Sequence, residues 1–221
     1  MLSRRNKDKK VVWTLHIALV NDYPEGFGAE QIVQTLITEL GKMEDKVTLY
    51  CAAEYPDLPP EVEYTKAPSS SLRRTVADKS SIRWFMDEFK HEKPDVVHTH
   101  NLARLTLAPI VAAQRLGIKV VHTHHDYRAI CPTQMLIDRL NYNSNCISRD
   151  HCLRCILGSS KRYSNLMSVP YPPILGESVY TRPKRNQIKS ILRNVLNAAP
   201  CQLTAHILSE TGIAAHTISN G

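Results

Sequence analysis

Several things that the chain has little of narrow its possible roles. Only three Phe and two Trp are available to stack on bases, and no RNA-reading signature accompanies them, so nucleic acid is not an expected partner. Nowhere is there a run of about 18 uninterrupted apolar residues, and no transmembrane helix is expected. The apolar stretch Val11 to Val20 follows a basic start, but it contains Thr14 and His16 and leads into Asn21-Asp22 without a small-residue cleavage site. A buried strand fits it better than a signal peptide. The chain has no internal repeat and no low-complexity tract. It also lacks the combination of a three-glycine dinucleotide fingerprint and an acidic residue about 20 positions on, which argues against an NAD-type dehydrogenase. The expected location is the cytoplasm.

What is present suits a folded domain. The 221 residues are 43% hydrophobic, enough for one large core with a small appendage at most. The net charge of +7 and the pI near 9.1 are unevenly distributed. Arg4, Arg5, Lys7, Lys9 and Lys10 crowd the start, and Arg182, Lys184, Arg185, Lys189 and Arg193 form a second run without an acid among them. Such runs are commonly solvated faces. The sharper reading is attraction to anionic lipid headgroups or to a pyrophosphate-bearing substrate, hence peripheral contact with an anionic membrane face.

Short β-rich runs alternate with segments of helical period, the pattern of a parallel sheet covered by helices. The candidate strands are Thr14 to Val20, Lys46 to Cys51, Val62 to Thr65, Asp95 to Thr99 and Ile118 to Thr123. Ala29 to Leu40 reads as a helix stopped by Gly41, Ile82 to Lys90 as a second, and Leu102 to Leu116 as a third ending at Gly117. The rhythm breaks from Ile130 to Tyr180, a cysteine-bearing, Pro-containing insertion or lid. Ile188, Ile191, Leu192, Val195 and Leu196 then mark an amphipathic helix. The fold class expected is α/β, a Rossmann-like doubly wound parallel sheet. In such a sheet ligands bind at the carboxyl ends of the strands, which directs attention to the segments after Val20, Thr99 and Thr123.

Those segments carry the candidate chemistry. NDYPEGFGAE places Gly26 and Gly28 at a helix start, where the backbone can approach an anion closely and free N–H groups attract phosphate or carboxylate; a plain turn is the alternative. PDVVHTHN and VVHTHHDY gather His98, His100, Asn101, His122, His124, His125 and Asp126 near adjacent strand ends. Alternation puts His98 and His100 on one face and leaves His125 and Asp126 beyond their strand. His98 and His122 are expected to be hydrogen-bonded core residues, and His125-Asp126 a functional pair. Cys131, Cys146, Cys152 and Cys155, the last two in a CLRC pair beside His151, suggest a closed structural zinc site; a disulfide or redox pair and unligated thiols are the alternatives. Cys51 and Cys201 read as small buried residues.

Taken in order, LHIALVNDYPEGFGAEQIV, PDVVHTHNL, VVHTHHDYRAICP, the cysteine cluster, APCQLTAHIL and HTISNG resemble the amino-terminal, acceptor-side domain of family 4 glycosyltransferases, retaining enzymes of the GT-B type with two Rossmann-like domains. The resemblance runs from about Val11 to Gly221, with residues 1–10 a basic N-terminal segment, 130–180 the insertion or lid and 215–221 the start of an interdomain linker. It implies that Gly26, Gly28 and Glu30 belong to the loop bordering the cleft, although Phe27 interrupts the family's adjacent glycine pair. It implies that His100 and Asn101 match the His-Asn after the fourth strand and bind substrate, and that His125 and Asp126 match the His-Asp loop facing the transferred sugar. Cys201 stands where a serine is usual at a helix start, which weakens a cap.

In the family an Ile-x-Asn-Gly segment leads into a second domain that binds the nucleotide-sugar and carries two glutamates eight positions apart. Here Asn220-Gly221 are the last residues, and no two glutamates are so spaced. The expectation is therefore an acceptor-side half that transfers a sugar from a nucleotide-sugar to a glycan or lipid-linked acceptor, as in cell-surface polysaccharide synthesis, without a catalytic metal and inactive until joined by a donor-binding half. The alternative is a non-catalytic module binding a glycan or a lipid headgroup, or a truncated gene product.

Overall fold

A computed structural model describes residues 15–23, 28–43, 45–54, 58, 62–69, 76–131 and 182–219. Strand β1 (His16–Asn21) is followed by α1 (Gly28–Lys42), β2 (Lys46–Cys51), β3 (Val62–Lys66), α2 (Lys79–Glu92), β4 (Val96–Thr99), α3 (Ala108–Arg115) and β5 (Lys119–Thr123). After the undescribed segment come α4 (Arg182–Leu192), β6 (Leu196–Ala199), α5 (Gln202–Glu210) and β7 (Ala215–Thr217). The seven strands form one sheet in the order β3-β2-β1-β4-β5-β6-β7, and every pair is parallel. This is the doubly wound α/β fold expected, with the order reversing between β1 and β4. Among the described residues no helix is long and apolar enough to cross a membrane.

Alternation along the strands divides the core in two. Ile17 and Leu19 of β1, with Val47, Leu49 and Cys51 of β2, face Val33 and Ile37 of α1. Ala18, Val20, Tyr50, Val97 and Val120 face the opposite way and pack with Phe85 and Phe89 of α2, Ile110 of α3, Leu192 of α4 and Leu208 of α5. Tyr50 meets Phe89 edge to face, their ring centroids 5.7 Å apart. Each such fully buried aromatic contributes about 2 kcal/mol by leaving water.

Helix boundaries follow local chemistry where that chemistry is strong. Asp78 caps α2 by accepting from the Ser81 N–H at 2.9 Å, and Lys93, in the left-handed region at φ 52°, closes it by donating its N–H to the Phe89 carbonyl. Gly117, at φ 72°, ends the turn after α3 where a side chain would be strained.

Four expectations need correction. Helix α1 runs through Gly41 to Lys42, because a glycine in a last turn costs only about 1 kcal/mol. Helix α3 begins at Ala108, not Leu102, for a reason that lies in the site. The helix expected to include Val195 and Leu196 ends at Leu192; Leu196 opens β6 and is exposed. The buried Asn197 amide makes that corner by donating to the carbonyls of Leu192 and Val195, both at 3.0 Å. Cys201 is exposed, while Cys51 is buried as expected. Cys201 occupies the N-cap of α5 and its side chain caps no backbone N–H, consistent with the weak cap read from the sequence.

Candidate active site

The carboxyl ends of β1, β4 and β5 lie side by side, with Leu19 opposite His98 and Thr99 opposite His122 in the sheet register. Parallel pairing therefore brings three separate chain segments to the edge where the strand order reverses, the usual ligand crevice of this topology.

From β1 come Asn21 and Asp22, both fully buried. The Asn21 side chain accepts from the Asn101 N–H at 3.0 Å and donates to the Tyr23 carbonyl at 2.7 Å. The Asp22 carboxylate accepts the backbone N–H groups of Ala103, of Arg104 at 2.9 Å and of Leu105 at 3.0 Å. Burial raises its pKa, and these three donors pull the other way. A carboxylate that takes three successive N–H groups holds the chain in a turn, and for this reason the helical period that starts at Leu102 yields no helix before Ala108.

That turn presents Asn101, whose amide donates to Glu30 Oε1 at 3.2 Å. Glu30 is buried in the first turn of α1, where a carboxylate suits the positive end of the helix. Gly28 begins the same helix with open space around the position a Cβ would take. Gly26 lies outside the described residues, so the glycine loop is placed only at its Gly28 end.

The histidines divide as alternation requires. His98 bonds through Nε2 to the Thr123 hydroxyl at 2.9 Å, and His122 through Nδ1 to the Thr99 hydroxyl at 2.8 Å. Both are satisfied in-strand residues, as expected. His124 reaches the Asn197 side-chain oxygen at 3.0 Å. On the α1 side of the sheet His98 and His100 lie with ring centroids 4.3 Å apart, and the His100 and His125 rings lie edge to edge in nearly one plane, their centroids 5.2 Å apart and their planes 18° from parallel. His100 Nδ1 and His125 Nε2 are 2.9 Å apart, so one carries the proton and the other the lone pair. When His100 donates, the neutral His125 ring bears its proton on Nδ1 and can donate to a ligand; in the other tautomer Nδ1 accepts. The buried His100 Nε2 has no hydrogen-bond partner. Asp126 turns away from this pair, accepting from the Arg128 N–H at 2.7 Å and facing the Arg128 guanidinium at 3.4 Å.

Burial is the first cause of the lowered pKa of every histidine in this group, and for all but His125 neighbouring rings add to it. For His125 the charges of Glu30 and Asp126 oppose the effect. His98 falls to about 4 from 6.5. A folded-state pKa below the unfolded one means that the unfolded chain binds the proton first, so the stabilisation is complete above pH 6.5 and is lost as pH falls toward about 4. His98 alone should contribute on the order of 3 kcal/mol over that window. Urea unfolding of wild type and His98→Gln between those limits is the check, and a flat stability profile would contradict the burial.

Of the expected site residues, the fold brings Glu30, His100, Asn101 and His125 together and sets Asp126 beside them on Arg128. Of the cysteine set only Cys131 is described, and it is buried; Cys146, Cys152 and Cys155 lie outside the described residues. Asn21 and Asp22 were missed as site residues. The signal for them was a polar-acidic pair placed immediately after an apolar strand.

The family model for Glycosyltransferase Family 4 matches residues 28–221. A glycosyltransferase from Rickettsia africae ESF-5 superposes with a TM-score of 0.50 at 11% identity, over 93% of this chain and 43% of that one. Medicago truncatula UGT71G1, solved with UDP-glucose, gives 0.51 at 9% identity, over 95% of this chain and 52% of that one. At such identities the likeness is one of fold, and the chain spans about half the length of these structures. No curated protein matches. With the match covering most of its length and the parallel sheet it predicts in place, the chain belongs to glycosyltransferase family 4, of which it carries the amino-terminal, Rossmann-like domain of the GT-B type.

Proposed function

We propose that the strand-end cluster is the acceptor-side wall of a sugar-transfer cleft. A nucleotide-sugar would be held across it by a donor-binding half, and a glycan or lipid-linked acceptor would lie against Asn101, Glu30 and His125. The observation that supports this best is the convergence of Glu30, Asn101, His100 and His125 from α1, β4 and β5 at the reversal of strand order. Fixed donors at such a point can meet the hydroxyls of a sugar whose ring gains positive charge as the diphosphate leaves. The amino end of α1 at Gly28 would supply backbone N–H groups suited to an anion. Glu30 and Asp126 add negative charge near the position where an oxocarbenium-like centre would form.

The test is transfer and hydrolysis with a panel of nucleotide-sugars, using the 221-residue chain alone and combined with candidate donor-binding halves. Turnover only in combination is the expected result. Turnover by the chain alone would overturn the assignment of the donor site to a second half. Silence in every combination, together with tight glycan binding, would replace the enzyme with a binding module.

A further inference from the structure

We propose that Arg104 recognises an anionic group, a carboxylate or a phosphate, carried by the sugar acceptor. The proposal rests on the acceptor-side reading above and adds the chemical class of the acceptor. Arg104 sits three residues after Asn101, on the turn whose backbone Asp22 holds. Its guanidinium carbon lies 4.8 Å from the centre of the Tyr23 ring, and the Tyr23 carbonyl accepts from the same Asn21 side chain that holds the Asn101 N–H. Tyr23, Asn21, Asn101 and Arg104 thus form one connected unit at the site's edge.

The acids of this edge are engaged elsewhere. Asp22 takes three backbone N–H groups, Glu30 takes the Asn101 amide, and Asp126 takes Arg128. Among the described residues Arg104 makes no ion pair, and its guanidinium lies over the Tyr23 face. An aromatic face steadies a guanidinium while leaving its planar fork of N–H donors for an incoming oxyanion. Because the backbone and the ring already hold it, little freedom remains to be lost on binding. Tyr23 is exposed and Arg104 half-buried, so the pair is in reach of solvent.

The test is titration of the purified chain with glucose, glucuronic acid and glucose 1-phosphate, followed by NMR. An anionic probe is expected to bind about tenfold more tightly than glucose, the gain of a charge-assisted contact. Arg104→Gln should abolish that preference and Arg104→Lys should keep part of it. Lys119→Gln removes the same charge at the amino end of β5, the opposite end of the sheet, and should leave the preference intact. Preference for glucuronic acid identifies a carboxylate, and preference for glucose 1-phosphate a phosphate. Equal binding of all three probes, binding of none, or an unchanged preference in Arg104→Gln overturns the proposal. A chain that shows the preference yet transfers no sugar in any combination would sink the transferase reading and leave the anion site. One that transfers equally to neutral and anionic acceptors would sink the anion site and leave the transferase.

Discussion

His125→Ala is expected to lower sugar transfer about a hundredfold in the combined enzyme, the usual cost of removing one positioned donor from a dry site, with little change in KM for the donor. The half-buried ring is fixed on one side by its 2.9 Å bond to the nearly coplanar His100 ring. Its remaining nitrogen is therefore the one that can serve a substrate. A contact that strengthens only as charge develops affects kcat more than binding. His100→Ala should act less strongly, by roughly tenfold, because it loosens the His125 ring without removing it. His125 lies past the end of β5, so neither the sheet register nor the core depends on it. Turnover unchanged in His125→Ala would remove it from the mechanism.

Asp22→Ala is expected to destabilise the fold by roughly 4 kcal/mol, the range for stripping a buried charge from its hydrogen-bonded partners. Three N–H groups, that of Leu105 buried and those of Ala103 and Arg104 partly so, would lose their acceptor. Urea unfolding would read the loss. Amide exchange would localise it, with residues 103–105 exchanging faster while β1 and β4 stay protected. Asp22→Asn keeps the volume and one acceptor oxygen but turns an NH2 toward N–H groups, so it should recover only part of the loss. A stable Asp22→Ala protein with 103–105 still protected would show that the carboxylate is not what holds the turn. Because the turn carries both Asn101 and Arg104, any surviving activity of the variant should be limited by acceptor binding, with KM rising more than kcat falls.

The alternating strand and helix rhythm was legible because a strand buried on both faces and an amphipathic helix each carry their signal within a dozen residues. The stretches Lys46–Cys51 and Val62–Lys66 read as strands from their own composition, and α1 from Val33, Leu36, Ile37 and Leu40. The two short edge-side strands, Leu196–Ala199 and Ala215–Thr217, did not, since three or four residues are too few to establish a period and Ala and Asn are weak strand formers. Leu196 was assigned to the preceding helix because its spacing continued that helix's apolar face, and nothing local announced that the Asn197 amide would turn the chain there.

By itself, then, the sequence determined the fold class, the parallel sheet, the placement of His98 and His122 as hydrogen-bonded residues within strands and that of His125 beyond one. All of these follow from periodicity and from the handful of residues around each position. Only the tertiary structure decided that His100 and His125 share a proton, that Asn101 meets Glu30, that Asp126 turns to Arg128, and that Asp22 suppresses the first turn of a helix beginning some 80 positions later. The partners of Asn101 and of Asp22 are about 70 to 80 positions away along the chain and meet them only because β4 pairs with β1. The energy of a buried carboxylate or imidazole depends on which groups surround it after that meeting, and local composition carries no record of them.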